Sequence, residues 1–198
     1  ERYLEALRAY QEVFFAEEEK RIRPALKQVL SRAQELAERM PLPDLIEELS
    51  QGLRIDGPPQ TPELVLVPSY WGTPLVHFGK ISAGCEMWVL GARPTDASLE
   101  SGQAVPDALL RKLKALSDPT RLRILHHLVG EPLAPAQLAR GLRLRTSTVM
   151  HHLQVLRLAG LVQLTIETRT GKEVKRYAAR SEAVAAACDS LKEFLGQG

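Results

Sequence analysis

The sequence predicts an α+β protein, mainly helical, with two small β elements set among the helices. Three observations carry that prediction. Apolar residues recur at three- and four-residue spacings along most of the chain, three short β-rich runs follow one another within residues 63–91, and two strand-like runs flank Arg169-Thr170-Gly171-Lys172 near the end. With 198 residues, 44% apolar and 25% charged, the chain is long enough for a sizeable core, which excludes a disordered tail or a fibrous repeat. No apolar run approaches the ~18 residues of a membrane span, and the opening ERYLEALRAY has neither the n-region nor the h-region of a signal peptide. A soluble, cytoplasmic protein with no membrane partner is expected. The chain begins at Glu1 and not at Met, so residues upstream of it are expected to have been removed.

Charge divides the chain. Residues 1–105 carry 11 Lys/Arg and 16 Asp/Glu, a net of −5, whereas residues 106–198 carry 15 and 8, a net of +7. Such asymmetry is what a chain with one polyanion-facing part shows. Two domains are expected: 1–105, a region of helices and a small antiparallel sheet, and 106–198, which carries the charge.

Taken in order, the first half opens with two helical patterns on either side of Pro24, where a kink or break is expected because proline lacks the N–H of a helix interior. Leu26, Val29, Leu30, Ala33, Leu36, Ala37 and Met40 then mark an amphipathic helix that Pro41 and Pro43 stop. A shorter helix follows with Leu45, Ile46, Leu49 and Leu53 on one face. After the GPPQTP loop at 57–62, ELVLV, PLVHFGKI and CEMWVLG read as a meander of three strands, and ARPTDASLESGQAVPD as a linker.

In the second half Leu109, Leu110, Leu113 and Leu116 form one stripe. Asp118 and Pro119 read as the N-cap and first turn of a helix filled by Leu122, Ile124, Leu125 and Leu128 and ended by Gly130. A short helix from Pro135 to Leu142 and a fourth from about Thr146 to Leu158 come next. A β-hairpin of LVQLTIET and EVKRYAA follows, then a last helix with Val184, Cys188, Leu191 and Leu195 on one stripe.

That order of helices and hairpin is the order of a winged helix-turn-helix. The residues LKALSDPTRLRILHHL at 113–128, QLARGLRL at 137–144 and STVMHHLQVLRLAGLV at 147–162, with the hairpin ending in Tyr177, resemble the ArsR family of bacterial repressors over about 85 residues. The resemblance implies a homodimer, joined through the last helix and the helix 107–116, that inserts one helix per subunit into the major groove of double-stranded DNA. It implies repression of transcription until a signal arrives.

The fourth helix supports this on its own spacing. Val149, His152, Leu153 and Leu156 share a face expected to pack inward. Ser147, Thr148, His151 and Gln154, with Arg145 and Thr146 at the start, supply donors, acceptors and a guanidinium suited to base edges and phosphates. Arg145 fits a guanine edge or a phosphate about equally. The family usually has a small polar residue where Arg145 stands and a serine where Met150 stands, departures that bear on which bases are read. In the hairpin Arg169, Lys172, Lys175 and Arg176 are candidate phosphate contacts, the role the resemblance gives the wing.

Other chemistry finds little support. Metal-sensing family members carry cysteines at the start of the third helix or His/Asp pairs on the last; here those stretches read EPLAPAQL and SEAVAAACDSLKEFL, so no metal site and no cofactor is expected. Adjacent residues on a helix point about 100° apart, so neither His126-His127 nor His151-His152 is a chelate by itself. Cys85 and Cys188 are too few and too far apart for a disulfide framework. Cys188 is expected in the core or a dimer interface. No Gly-rich phosphate loop, HExxH or Gly-x-Ser-x-Gly elbow is present, and no enzyme is expected.

Tyr70, Trp71, His77 and Phe78 fit either a small-molecule pocket or the core of the sheet, core being favoured. The first half, with its acidic run FFAEEEKRIRP, resembles the N-terminal region fused to some ArsR-type regulators. Effector binding, with an unidentified small molecule as partner, and dimer support are its two open roles. The rival functions are a winged-helix protein-interaction module and an enzyme or sensor in the first half that a DNA-targeting unit serves.

Overall fold

The computed structural model describes residues 2–55, 61–95, 97, 105–169 and 172–196, without the side chains of 168, 169 and 172. Helices α1 (Arg2–Tyr10) and α2 (Ala16–Ala37) are joined by a π-helical turn, Gln11–Phe15. The expected break at Pro24 is absent: α2 runs through it. Proline there removes one backbone hydrogen bond on an exposed face, where water can satisfy the freed carbonyl. Glu17–Lys20, Glu18–Arg21 and Glu19–Arg23 pairs also brace the preceding turns.

Helix α3 (Leu42–Ser50) has Pro43 in its first turn and buries Leu45 and Ile46. It ends where Gln51 adopts a left-handed conformation and Gly52 takes φ +105°. Leu53, expected on this helix, instead opens strand β1 (Leu53–Ile55), because the two positive φ values turn the chain out of the helix.

Strands β2 (Glu63–Ser69), β3 (Val76–Ser82) and β4 (Cys85–Gly91) form a sheet in the order β2-β4-β3. It is not the expected meander: β4 is central, antiparallel to β3 and parallel to β2, with Leu66 opposite Trp88. The tight turn at Ala83-Gly84 forces β3 and β4 into a hairpin, whereas the six residues from Tyr70 to Leu75 are too many to force one and carry the chain past β4 to its far edge. The expected linker begins inside the fold. Ala92 and Arg93 are buried, and the Arg93 backbone N–H donates to Thr73 Oγ1 at 2.8 Å. Residues 96 and 98–104 of that stretch lie outside the described residues.

The second half holds α4 (Asp107–Leu116), α5 (Pro119–Gly130), α6 (Pro135–Leu142), α7 (Thr146–Leu158), β5 (Val162–Arg169), β6 (Lys172–Ala179) and α8 (Ser181–Phe194). Asp118 caps α5 by accepting from the Arg121 N–H at 2.9 Å, and the Arg121 guanidinium donates to the carbonyls of Ala115 and Lys114 at 2.6 and 2.7 Å. One Asp-Pro-Thr-Arg segment thus satisfies both the start of α5 and the end of α4. Ile124, Leu128, Leu138, Val149, Leu153, Leu156, Leu161 and Val162 are the largest fully buried side chains, each worth roughly 1.5–3 kcal/mol of burial. Leu122, expected among them, is 48% exposed, because Ile124, Leu125 and Leu128 take the inward face of α5. On α8 only Ala187 is buried; Cys188 and Leu195 are exposed, so their stripe is not core in the single chain.

The two halves share a sheet. β1 lies parallel to β5, with Leu53 opposite Leu164 and Ile55 opposite Ile166, and β6 completes the order β1-β5-β6. A second core forms there from Ile46, Leu53 and Trp88, against which Leu164 and Ile166 of the hairpin pack.

Candidate nucleic-acid interface

Helix α7 is held from one side. Val149, Leu153 and Leu156 have no exposed surface, and the Leu144 side chain joins the same core. Burying that stripe leaves the opposite one in water, and Arg145, Thr146, Ser147, Thr148, His151 and Gln154 are all exposed. The sequence-predicted reading residues therefore stand together on one face. His152, expected inward, is half-buried with its Nδ1 shielded, and its charge joins Arg121 in holding the Asp118 carboxyl below the usual range, after the backbone hydrogen bond from Arg121.

The turn before α7 sets its angle. Arg143 takes φ +56° at the end of α6, and the Leu144 N–H donates back to the Ala139 carbonyl at 2.9 Å, closing that helix. Arg145 then stands at the N-cap of α7 in an extended conformation and offers no side-chain acceptor to the first turn. The N–H groups that open a helix carry partial positive charge, and here they meet an exposed guanidinium and three exposed hydroxyls.

Two cations were missed. Arg140 and Arg143 are exposed beside Arg145, and among the described residues no carboxylate pairs with any of the three. The signal was the alternation Arg140, Arg143, Arg145 across a helix end, where every second or third side chain faces out. Met150 is also 38% exposed on this face.

Lys175 is exposed on β6, but Arg176 is spent inside the wing, 3.7 Å from Glu167 and donating to the Pro132 carbonyl at 3.4 Å. Arg169 and Lys172 face one another at the end of the β5–β6 ladder, and their side chains lie outside the described residues.

The two cysteines are far from this face. Burial, and then the Glu63 carboxylate, push the Cys85 thiol up, which disfavours a reactive thiolate. Of Tyr70, Trp71, His77 and Phe78, only Tyr70 is buried, and its hydroxyl accepts from Arg21 at 3.2 Å. The other three are exposed and line neither of the two cavities found at α2 and α3.

Residues 116–165 match the family model described as a helix-turn-helix domain. The HTH-type transcriptional regulator CmtR of Mycobacterium bovis is 45% identical over 88 residues, 44% of this chain and 71% of that protein. NmtR of Mycobacterium tuberculosis, another HTH-type transcriptional regulator, is 37% identical over 86 residues, 43% of this chain and 68% of that one. Among solved structures, an ArsR-like transcriptional regulator from Rhodococcus is 28% identical with a TM-score of 0.39, covering 46% of this chain and 79% of that one. With 71% of the length of CmtR spanned at 45% identity, the chain belongs to the ArsR-type winged helix-turn-helix family of DNA-binding transcriptional regulators.

Proposed function

We propose that the protein is a homodimeric repressor that reads an inverted repeat with α7 and steadies the contact with its wing. The observation that carries this reading is the two-sidedness of α7: one stripe is fully buried, and the other, with Arg140 and Arg143 beside it, has cations without carboxylate partners among the described residues. Base edges are reached by such side chains, and phosphates by the exposed Lys175 and, on the sequence expectation, Arg169 and Lys172. Dimerisation is supported by apolar side chains left in water on α4 and at the end of α8: Leu110, Phe194 and Leu195 are 36%, 44% and 59% exposed. A two-fold axis through these helices would set two α7 helices about one DNA turn, ~34 Å, apart. Repression relieved by the metal sites of metal-sensing relatives is not part of the proposal, since α6 opens with Pro135-Ala136-Gln137 and α8 has no histidine.

The test is selection of genomic fragments by the protein at rising salt. One palindromic sequence should survive at the highest salt, with affinity falling steeply as salt rises. No enrichment at any salt would overturn the reading in favour of a protein-interaction module.

A further inference from the structure

A cavity of about 520 Å³ lies where the two halves meet, walled by α2, α3, the residues after β4, α4, the end of α7 and α8. Its wall is cationic. Arg32, Arg93, Arg111, Lys112 and Arg180 line it, against the carboxylates Glu48 and Glu182 among the described residues. Both carboxylates are already engaged, Glu48 with Arg32 at 3.0 Å and Glu182 with Arg180 at 3.1 Å. Asp107 is the remaining counter-charge, 3.6 Å from Arg93 Nη1 and close enough to act on Arg111 as well.

The Arg93 side chain is 4% exposed, and its Nη1 has no hydrogen-bond partner among the described residues. Arg111 and Lys112 are partly buried. Burial first, and then Arg93 beside Arg111, and Arg180 and Arg111 beside Lys112, pull both pKa values down. Gathering half-desolvated like charges costs stability, and an anion placed among them removes the cost. A concave site with such groups is where a ligand is expected.

A second cavity of about 200 Å³ shares Val29, Leu49, Gly91 and Ala92 with the first. Its remaining wall is apolar, including Leu30, Ala33, Leu45, Leu66 and Leu90, with Gln34 its one polar side chain among the described residues. A cationic cavity thus adjoins a hydrocarbon-lined groove, with those four residues common to both walls. We propose that the protein binds an amphipathic small-molecule anion at this junction, with a carboxylate or phosphate head among Arg93, Arg111 and Lys112 and a hydrocarbon tail in the groove of α2, α3 and β4. DNA is not the occupant, because the chamber touches α7 at Ala159-Gly160, about 20 Å along the helix from the reading end.

Regulation follows only if the DNA-binding reading holds. The wall includes α4 and α8, which would join the two subunits, and the far end of α7, so a bound anion changes operator affinity through the elements that aim the reading helices. Binding itself does not depend on that reading.

The experiment is calorimetric titration of the full chain, without DNA, using decanoate, decyl phosphate, decanol and inorganic phosphate, each below its self-association concentration. One of the two amphipathic anions should bind at one site per chain, at least tenfold tighter than decanol or phosphate, and the better of the two names the head group. The double variant Arg111→Gln, Lys112→Gln should weaken that binding tenfold or more while its thermal midpoint stays level or rises, since mutual repulsion is relieved. Ala33→Trp, which fills the groove from an incompletely buried position on α2, should reduce the anion's affinity to that of inorganic phosphate. No binding by either amphipathic anion, equal binding of decanol, or unchanged binding in both variants would overturn the proposal. With no DNA in the cell, such a failure leaves operator recognition untouched, and failure of operator selection leaves this site untouched.

Discussion

The second half of the molecule builds a large core within itself, and the first half builds a smaller one that it shares with the hairpin. Fourteen buried residues among those described, from Ala115 to Tyr177, form a single cluster within α4–β6. The corresponding cluster of the first half has three, Ile46, Leu53 and Trp88, packed against Leu42, Ile55, Leu64, Leu66 and Val76 of the same half and against Leu164 and Ile166 of the hairpin. The difference teaches that the smaller core of the first half is coupled to the second, through β1 on β5 and the Arg157 guanidinium that donates to the Ser50 carbonyl at 3.3 Å.

The largest expected effect breaks this comparison or proves it. Leu153→Ala removes a side chain with no exposed surface and should cost about 2–5 kcal/mol in denaturant unfolding. Both tryptophans, Trp71 and Trp88, sit in the first half. If the halves are coupled as the shared sheet indicates, tryptophan fluorescence should shift to lower denaturant together with far-UV circular dichroism. A fluorescence midpoint that stays put while the helical signal moves would show the first half to be independent.

The same contrast explains what was legible in the sequence. In the second half each helix is punctuated locally: Asp118-Pro119 and Pro135 start helices, and Gly130 and Gly160 end them, so the elements fall where the pattern puts them. Its error was of facing, as with Leu122, where an apolar residue on the stripe's margin was counted as core. In the first half, local signals misled. Pro24 sits in a helix that neighbouring ion pairs brace, Leu53 leaves its helix at two positive φ values, and β2 pairs directly with β4, although β3 comes between them in the chain. Pairing between strands 22 residues apart is decided by packing in three dimensions, which periodicity does not report. The exposed face of α7 was legible because one helix has only two sides, while the exposure of Arg140 and Arg143 beside it required knowing how the turn before it is folded.

Next in size are the reading residues. Arg145→Ala and His151→Ala should each lower operator affinity by about 1–3 kcal/mol in fluorescence anisotropy while leaving the thermal midpoint in place, since both side chains are exposed. Unchanged affinity in both variants would move the recognition surface off α7 and remove the functional contrast between the halves.

A smaller effect isolates the local punctuation. Asp118→Ala should cost about 0.5–2 kcal/mol at neutral pH, because the Arg121 N–H loses its acceptor at the start of α5. The Asp118 carboxyl is held below its ordinary value by that backbone hydrogen bond, then by the charges of Arg121 and His152. Its contribution is therefore complete above the unfolded carboxyl's pKa, near 3.9, and is lost as pH falls through the lower folded value. Stability curves of wild type and variant should converge under acid. A constant gap down to that range would assign the cost to packing instead of to the charged cap.

The smallest effect is the most selective one. Lys175 stands exposed on β6 opposite Ile166, whose other neighbour is Ile55 of β1, so the wing that carries this cation is fixed to the first half by backbone pairing. Phosphates along the duplex are the same at every sequence, and a lysine that meets one releases about one counterion whatever the bases are. Lys175→Ala should then weaken operator and scrambled DNA alike and lower the slope of log affinity against log salt by about 1. Lys27→Ala, an exposed cation on α2, should leave that slope unchanged, because the first half does not meet the polyanion. A changed slope for Lys27, or none for Lys175, would place the DNA against a different face and make the charge asymmetry of the two halves incidental.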